Sequence, residues 1–359
     1  MFLHNIYNKM IKKILFKSFH ILLILWGVIS LLFFLFNILP GDPARMLTGQ
    51  RTDQTTIENI KKDLGIDLPV EKQYLLYIND LSPISIDKKP PNERYKSLIL
   101  CPMGNYKLVL KLPYLRKSYQ TKQYVGQMVS AAAVPSLLLA FSSILFAVIV
   151  GIPIGVLSAA KANSWFDRLG LSISSLGMSL PSFFAAILIG WLFAYVLGQF
   201  TGLNLTGSMY EYGIDTKHLV LKNLILPSIT LGIRPLSVII QLTRNSLLTE
   251  MKSDYFRTAR AYGLSRNAAL WKHALKNSLN PVVTALSGWF ASMLAGMVFV
   301  EYIFAWKGLG YMLVDSLNQY DFPVVMGCIL FISVIFIIIN NLTDTVYKIL
   351  DPQIKLKTI

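Results

Sequence analysis

A-A-A-V-P-S-L-L-L-A-F-S-S-I-L-F-A-V-I-V-G-I-P-I-G-V-L-S-A-A, residues 131–160, is a run of thirty residues without a charged side chain. A helix needs about 20 apolar residues to cross a bilayer whose hydrocarbon core is about 30 Å thick. We therefore predict that this stretch spans a membrane. Its extra length favours a tilted helix, or one kinked at Pro135 and Pro153.

Five further apolar stretches lie on either side, so the sequence predicts an all-α polytopic membrane protein with six transmembrane helices. Only 15% of the 359 residues are charged and 54% are hydrophobic, whereas about 25% of a soluble domain is charged. This composition argues against a soluble enzyme. The predicted spans are 19–39, 131–160, 169–198 with a break at Pro181, 224–242, 282–305 and 324–346.

Lys and Arg are distributed unevenly among the loops. If the N-terminus is cytoplasmic, the cytoplasmic segments hold sixteen of them, and the opposite short loops hold only Lys217, Lys222 and Lys307. Short cytoplasmic loops are typically rich in Lys and Arg, whereas long loops cross regardless of charge. Both termini are therefore predicted to be cytoplasmic, and topology accounts for most of the net charge of +15 without a nucleic-acid partner.

The segments outside the spans follow from this topology. The first span is longer than the apolar core of a signal peptide, and Pro-Gly-Asp-Pro follows it at 40–43 instead of a small-residue cleavage site, so we interpret it as a retained anchor. The remaining assignments are a cytoplasmic N-terminus at 1–18, an external segment at 40–130, a transmembrane domain at 125–348 that includes a loop at 247–281, and a cytoplasmic tail at 347–359.

The external segment begins with helix signals. Residues 55–58 fit a capping box, Leu64-Gly65 fits a helix stop, and Pro69 fits the start of a helix that contains Tyr74–Tyr77. Residues 81–122 show no sustained periodicity, and their secondary structure is left unassigned.

The loop between the fourth and fifth spans predicts two short helices. Residues 254–262 can form one that ends at Gly263, since glycine accepts positive φ. Ser265 can cap the second, with Leu264, Ala268, Trp271 and Leu275 on one apolar stripe. This pair is either a simple connection at the membrane surface or a docking element for a partner protein. A DNA-binding helix-turn-helix is disfavoured, because about 35 residues leave no room for its supporting helices.

Residues 254–265, D-Y-F-R-T-A-R-A-Y-G-L-S, are close to the pattern D-Y-x-R-T-A-R-A-K-G-L-S, and residues 273–283, H-A-L-K-N-S-L-N-P-V-V, are close to H-A-L-R-N-A-L-L-P-V-V. These patterns belong to the EAA loop of permease subunits of ATP-binding-cassette importers, in the dipeptide, oligopeptide and nickel class, which the chain resembles. Tyr262 and Asn280 stand where that family usually has Lys and Leu. An ion pair specific to position 262 is therefore not expected.

The resemblance extends along nearly the whole chain. Lys307 replaces a usual Pro and Gln353 a usual Arg, while residues 81–122 have no counterpart and resemble an insertion. The other family-like motifs are L-P-G-D-P-A at 39–44, L-G-I-D at 64–67, Gln73-Tyr74, G-I-P-I-G at 151–155, S-L-P-S-F at 179–183, E-Y-I-F at 301–304 before G-L-G at 308–310, and D-T-V-Y at 344–347 before Asp351-Pro352.

This resemblance implies the type I importer permease fold, in a bacterial plasma (inner) membrane. It also implies a second homologous permease subunit, two cytoplasmic ATP-binding-cassette ATPase subunits or domains, and an external solute-binding protein. The sequence has no G-x-x-x-x-G-K-[ST] loop to cradle phosphates. The chain is therefore expected to bind no cofactor, to leave ATP to its partners, and not to be an enzyme.

The resemblance further implies that the helix at 254–262 docks in a cleft of one ATPase. Nucleotide-driven closure would then move the attached fourth and fifth spans, and Ala259 and Gly263 would allow close backbone approach. A simple helix stop at Gly263 is compatible with this role. The residues expected in ATPase coupling are Arg257, Thr258, Ala259, Arg260, Gly263 and Leu264.

Three residues within the spans are candidates for the translocation path. Arg234 is costly at the centre of a bilayer. We therefore expect it either to face a water-filled path, where it could attract a peptide carboxylate, or to pair with a neighbouring helix or snorkel, for instance to Glu301. Ser292 belongs to a stripe of small residues at 288–296 that fits a packing seam or a path-lining surface.

A different class of function is an ion-gradient-driven secondary transporter. Such proteins normally have carboxylates within their spans, and Glu301, near the outer end of its span, is the one that approaches this description. The sequence leaves the cargo open between a dipeptide, a longer peptide, a nickel complex and glutathione.

Overall fold

The computed structural model describes residues 2–38, 68–87, 97–103, 106–212 and 217–350. The chain divides into two compact units, one comprising Met1–Ala131 with Met312–Val334 and the other Ala132–Tyr311 with Ile335–Ile359. The predicted capping box at 55–58 and helix stop at 64–65 lie outside the described residues.

The described part is predominantly helical. Its helices are α1 (Phe2–Ile38), α2 (Val70–Leu81), α3 (Val125–Ala160), α4 (Trp165–Ser179), α5 (Ser182–Gly190), α6 (Gly198–Thr201), α7 (Ile225–Glu250), α8 (Asp254–Ala261), α9 (Arg266–Ala269), α10 (Leu275–Ser278), α11 (Asn280–Ile303), α12 (Leu309–Asn318) and α13 (Phe322–Leu350). Two π-helical segments occupy Trp191–Val196 and Leu270–Ala274, and a 3₁₀ turn occupies Leu221–Leu224. The strands are β1 (Ile84–Asp87), β2 (Ser97–Met103), β3 (Tyr106–Lys111), β4 (Tyr210–Tyr212) and β5 (Lys217–Leu219).

Four helical stretches in the described part are long and apolar enough to cross a membrane, and two bent pairs raise the number to as many as six. The four are Leu15–Phe36, Val125–Ala160, Leu221–Glu250 and Phe322–Thr343; the pairs are Trp165–Ser179 with Ser182–Val196, bent by 114°, and Asn280–Leu294 with Gly296–Ile303, bent by 57°. The sharper bend falls at the predicted break, because Pro181 has no N–H to donate and disfavours a helical conformation at Leu180.

Several helices extend beyond the apolar stretches from which the spans were predicted. α3 begins at Val125, and α7 continues to Glu250 instead of ending at Leu242. A hydropathy pattern ends where polar residues begin, whereas a helix continues while its backbone hydrogen bonds and a buried face persist. Leu247, fully buried in the last turns of α7, provides that face.

In the first unit, α2 forms where the Pro69 signal predicts a helix, and it packs against α1. The helix begins directly after Pro69, and the Tyr74 hydroxyl lies 2.6 Å from the Ser30 hydroxyl of α1. Tyr77 is buried in a cluster with Phe33 and with residues from the start of α13. Aromatic packing therefore attaches α2 to α1.

The segment 81–122 contains a three-stranded antiparallel sheet with the order β1-β3-β2. Val109 in the central strand is buried opposite Ser85, while the adjacent pair Leu110 and Ile84 is exposed. The sequence does not reveal the sheet, because residues 98–100 are consecutively apolar and the β2 register shifts after Ile99. The all-α expectation holds for the membrane-spanning part, and small sheets, including a β4-β5 pair, are added outside it.

In the second unit, glycines allow α3 and α7 to pack with their backbones close together. A Cβ on Gly232 would lie 2.7 Å from the Ser143 carbonyl oxygen, and one on Gly155 would lie 2.9 Å from the Ile240 carbonyl oxygen. Both distances are too short for a methyl group. Helix packing is thus the physical role of at least the second glycine in the G-I-P-I-G motif at 151–155.

Candidate functional site

The loop helix α8 presents an apolar side chain to the protein and basic side chains to solvent. Phe256 is only 7% exposed, whereas Arg257 and Arg260 are exposed. Phe256 belongs to a cluster, here called the anchor cluster, that comprises Val156, Ala159, Leu247, Phe256, Ala269, Leu270 and Ala274. Because these residues come from the ends of α3 and α7 and from the segment after α8, α8 packs directly against two of the candidate spans.

The end of α8 has the hydrogen bonds of a Schellman motif. The Leu264 N–H donates to the Ala259 carbonyl (3.4 Å) and the Gly263 N–H to the Arg260 carbonyl (3.1 Å), while Gly263 has a φ of +86°. The predicted glycine stop is confirmed. Ala259 and Leu264 both pack against the anchor cluster, so within this chain they position α8, and the solvent-facing set is Arg257, Thr258 and Arg260.

The start of α8 is attached to the end of α7 through side chains. The Ser253 hydroxyl donates to the Glu250 carbonyl oxygen at 2.5 Å, and the Tyr255 hydroxyl donates to the Glu250 carboxylate. Burial, followed by the hydrogen bond to Glu250, raises the pKa of Tyr255. Both effects favour the protonated hydroxyl, which is the form that donates to Glu250.

The second helix of the loop begins as predicted, but its buried face differs. The Ser265 hydroxyl accepts from the Ala268 N–H at 3.2 Å, which confirms the cap. Trp271, placed on the predicted apolar stripe, is 50% exposed, whereas Leu270 and Ala274 are fully buried. The prediction assumed 3.6 residues per turn, and the π-helical segment Leu270–Ala274 breaks that period.

An ion pair that the sequence analysis did not identify connects α4 with α7. Both oxygens of Asp167 accept hydrogen bonds from Arg244, each at 2.6 Å, and the Asn163 N–H donates to Asp167 at 2.8 Å. The Asp167 side chain is 2% exposed and that of Arg244 is 14% exposed. Such bidentate pairs fix relative orientation, but no sequence spacing links residues 77 positions apart.

A cavity of about 150 Å³ lies among α4, α5, α7 and α11. Arg234, Thr230, Ser182 and Ser292 contribute polar side chains to its wall. Two of the three path candidates, Arg234 and Ser292, are thus brought to one cavity. Gly296 of the small-residue stripe also lines it.

The third path candidate, Glu301, lies in a different environment. It is fully buried, and its carboxyl group accepts hydrogen bonds from the Ser136 hydroxyl (2.6 Å), the Gly310 N–H (2.7 Å) and the Tyr311 N–H (3.2 Å). The proposed pair between Arg234 and Glu301 is therefore not formed. Glu301 instead holds the start of α12 against α3, and we retain no path role for it.

The G-L-G motif at 308–310 belongs to the same structural site. A Cβ on Gly308 would overlap the Glu301 carboxyl oxygens and the Ser136 hydroxyl, and one on Gly310 would lie 2.5 Å from the Val298 Cα. The Leu309 N–H donates to the Ser136 hydroxyl at 2.7 Å. Glycine is thus required on both sides of Leu309 for this close approach.

Comparison with known proteins gives a consistent result. Residues 151–356 match the family described as binding-protein-dependent transport system inner membrane component, and residues 10–90 match the corresponding N-terminal family. The chain is 31% identical over 347 residues to the dipeptide transport system permease protein DppB of Alkalihalophilus pseudofirmus, covering 92% of this chain and 96% of that protein. It is 34% identical over 331 residues to the glutathione transport system permease protein GsiC of Pectobacterium atrosepticum, covering 92% and 94%.

One solved structure supports the fold. The MetNI methionine ABC transporter, in an inward-facing conformation, has a chain that matches with a TM-score of 0.51 at 16% identity. The match covers 63% of this chain and 97% of that one. At this identity the likeness concerns the fold alone, and it agrees with the predicted type I importer permease architecture.

Proposed function

The chain belongs to the family of binding-protein-dependent transport system inner membrane components, and from this premise we propose that its cargo is a small peptide. It is an ABC importer permease, a multi-pass protein of the inner membrane. Its dipeptide and glutathione relatives are named for short peptides, and such molecules carry at least one free carboxylate. The chain would form the translocation path together with a second permease subunit.

The observation that carries the coupling part of this proposal is the attachment of α8 to the anchor cluster. Phe256 is held among residues from the ends of α3 and α7, while Arg257, Thr258 and Arg260 face outward. This arrangement supports a rigid connection between an ATPase bound to the outer face of α8 and the spans. A movement of α8 would then be passed to α3 and α7 through the anchor cluster. Coupling through bistable helix packing requires such a rigid connection.

The proposed complex contains two ATPase subunits or domains, a second permease and an external solute-binding protein. ATP would be bound and hydrolysed by the partners, so this chain would need no cofactor and would not itself be an enzyme. Family membership supports ATPase and binding-protein partners in general; their number and the second permease are parts of the proposal.

Gentle purification tests the function. A tagged chain is expected to co-purify with an ATPase, and ATP hydrolysis by the complex in lipid is expected to rise when a binding protein loaded with dialanine is added. Replacing Arg257 and Arg260 together by Glu should remove the ATPase from the complex but not the second permease. The matched control replaces two exposed lysines elsewhere, Lys222 and Lys307, by Glu and should retain the ATPase.

The same preparation separates this function from an ion-gradient-driven transporter. Uptake that continues without ATP, and that stops when an ionophore collapses the ion gradient, would contradict the importer assignment. In that case, replacing Arg257 and Arg260 by Glu would not change uptake either.

The proposed orientation, with both termini cytoplasmic, predicts which thiols react from outside. Cys101 is exposed in the external segment, so an impermeant thiol reagent should label it in intact cells. Ala162→Cys, in the exposed connection between α3 and α4 and with Cys101 replaced by Ser, should react only after permeabilisation. Labelling of residue 162 in intact cells would reverse the topology.

A further inference from the structure

We propose that the cavity around Arg234 is the site at which the permease binds the carboxylate group of its peptide cargo. This inference rests on the proposed peptide cargo. It adds the group of the cargo that is recognised, the carboxylate, and the residue that binds it, Arg234. It assigns recognition to the membrane-spanning chain in addition to whatever selection the binding protein makes.

The first observation is that Arg234 has no partner within the described part of the chain. It lies inside α7, in the candidate span Leu221–Glu250, and makes no hydrogen bond or ion pair there with another described residue. An arginine in a span is costly and normally faces a partner or a water-filled space. Here the guanidinium-bearing residue lines the cavity, and no acidic residue is among those that line it.

The second observation is that the two buried acids of the second unit, Glu301 and Asp167, are already engaged. Glu301 accepts three hydrogen bonds from Ser136, Gly310 and Tyr311. Asp167 is paired with Arg244. Neither carboxyl group is therefore available to neutralise Arg234. A planar guanidinium without an internal acid is well suited to bind a carboxylate with two parallel hydrogen bonds.

The third observation is the polarity of the remaining wall. Ser182, Thr230 and Ser292 supply hydroxyl groups around the cavity. Ser182 is also the first residue of α5, after the 114° break, so unpaired backbone N–H groups of that helix start begin at the same wall. Broken helices in other transporters place such ends at anionic groups. The Thr230 hydroxyl donates to the Leu226 carbonyl oxygen at 2.8 Å. The donors left for an anion at this wall are therefore Arg234, the hydroxyls of Ser182 and Ser292, and the N–H groups at the start of α5.

The size of the cavity limits what it can hold. About 150 Å³ accommodates a carboxylate and several water molecules, since a cavity measured in this way needs about 10–15 Å³ to hold one water. A whole peptide needs more space. The cavity is therefore a subsite for one end of the cargo, and Trp289 and Met293 provide apolar wall beside it.

A transport experiment with paired peptides tests the proposal. Uptake of dialanine and of its C-terminal amide is measured with wild-type, Arg234→Gln and Arg234→Lys complexes and the same binding protein. Any preference of the binding protein for the free acid is common to all three and cancels when the acid-to-amide ratios are compared. We expect Arg234→Gln to lower the ratio by roughly tenfold. Arg234→Lys keeps the charge but not the two parallel donors, so its ratio should fall between those of the wild type and Arg234→Gln.

The outcomes distinguish the site from the proposed cargo. An equal loss of both peptides in Arg234→Gln, or an unchanged ratio, would overturn the carboxylate site while leaving peptide import intact. Failure of the wild-type complex to import either peptide would instead overturn the cargo and, with it, the peptide carboxylate as ligand. Co-purification of the second permease shows that each variant is assembled.

A second measurement does not depend on any cargo. Ser292→Cys, with Cys101 and Cys328 replaced by Ser, is treated with anionic and cationic thiosulfonate reagents of equal size. Both reagents should react, and Arg234→Gln should lower the anionic-to-cationic rate ratio by roughly tenfold. Thr206→Cys, exposed outside the cavity, is the matched control with an unchanged ratio. The proposal would be contradicted if residue 292 did not react, or if the anionic-to-cationic rate ratio were the same with and without Arg234.

Discussion

Gly263→Val is expected to abolish the stimulation of ATP hydrolysis by loaded binding protein while leaving the chain inserted in the membrane. Gly263 has a φ of +86°, and a Cβ there would meet nothing within 4 Å. The cost of substitution therefore arises from the backbone and not from a clash. A β-branched residue in this conformation costs on the order of 1 kcal/mol or more, so the Schellman end opens and α8 loses its orientation.

Gly263→Asn is the matched control, because asparagine tolerates the left-handed region better than other side chains. It fills the same open space, and it should retain most of the stimulation. The measurement is ATP hydrolysis by the purified complex in lipid, with and without loaded binding protein. Full stimulation in Gly263→Val would show that the geometry of this turn does not couple the ATPase to the spans.

Glu301→Ala is expected to destabilise the second unit by about 3 kcal/mol or more, since three donors would lose their shared acceptor in a buried site. The Ser136 hydroxyl and the N–H groups of Gly310 and Tyr311 would be left unpaired. For a unit of this size the melting temperature should fall by roughly 6–12 °C.

Two further variants serve as comparisons for the melting temperature of Glu301→Ala. Glu301→Gln keeps one carbonyl acceptor of the same size but turns the second position into a donor, so it should fall between wild type and Ala. Asp315→Ala, whose carboxylate is paired with Gln319 one turn away on an exposed surface, should shift the melting temperature very little. Thermal unfolding is followed by tryptophan emission, to which the fully buried Trp306 contributes. If Glu301→Ala had a normal melting temperature but no uptake, Glu301 would have a role in the translocation path and not in stability.

Features that depend on neighbouring residues in the chain were predictable. The stop of α8 at Gly263, the cap at Ser265 and the start of α2 after Pro69 follow from local backbone chemistry. The break at Pro181 was predicted for the same reason. Its angle of 114° was not, since the direction of a broken helix is set by what packs around it.

Features that depend on register or on distant residues were missed. In the predicted apolar stripe, Leu264 and Leu275 do pack against the anchor cluster, but Trp271 is half exposed because a π-helical segment changes the period. The sheet at 84–111 lacks alternation in β2, so periodicity has nothing to detect. Asp167 and Arg244 show no helical spacing, and their pairing follows only from the packing of α4 on α7.

The sequence by itself determined the membrane-spanning class, the family and the loop helix that ends at Gly263, because apolar run length, motif order and glycine conformation are local properties. The tertiary structure decided the roles of the two charged candidates within the spans. Arg234 and Glu301 are both charged residues in apolar helices, and their costs of burial are similar in kind. Only folding shows that Glu301 receives three donors while Arg234 lines a cavity, since hydrogen-bond partners are assigned by packing and not by sequence distance.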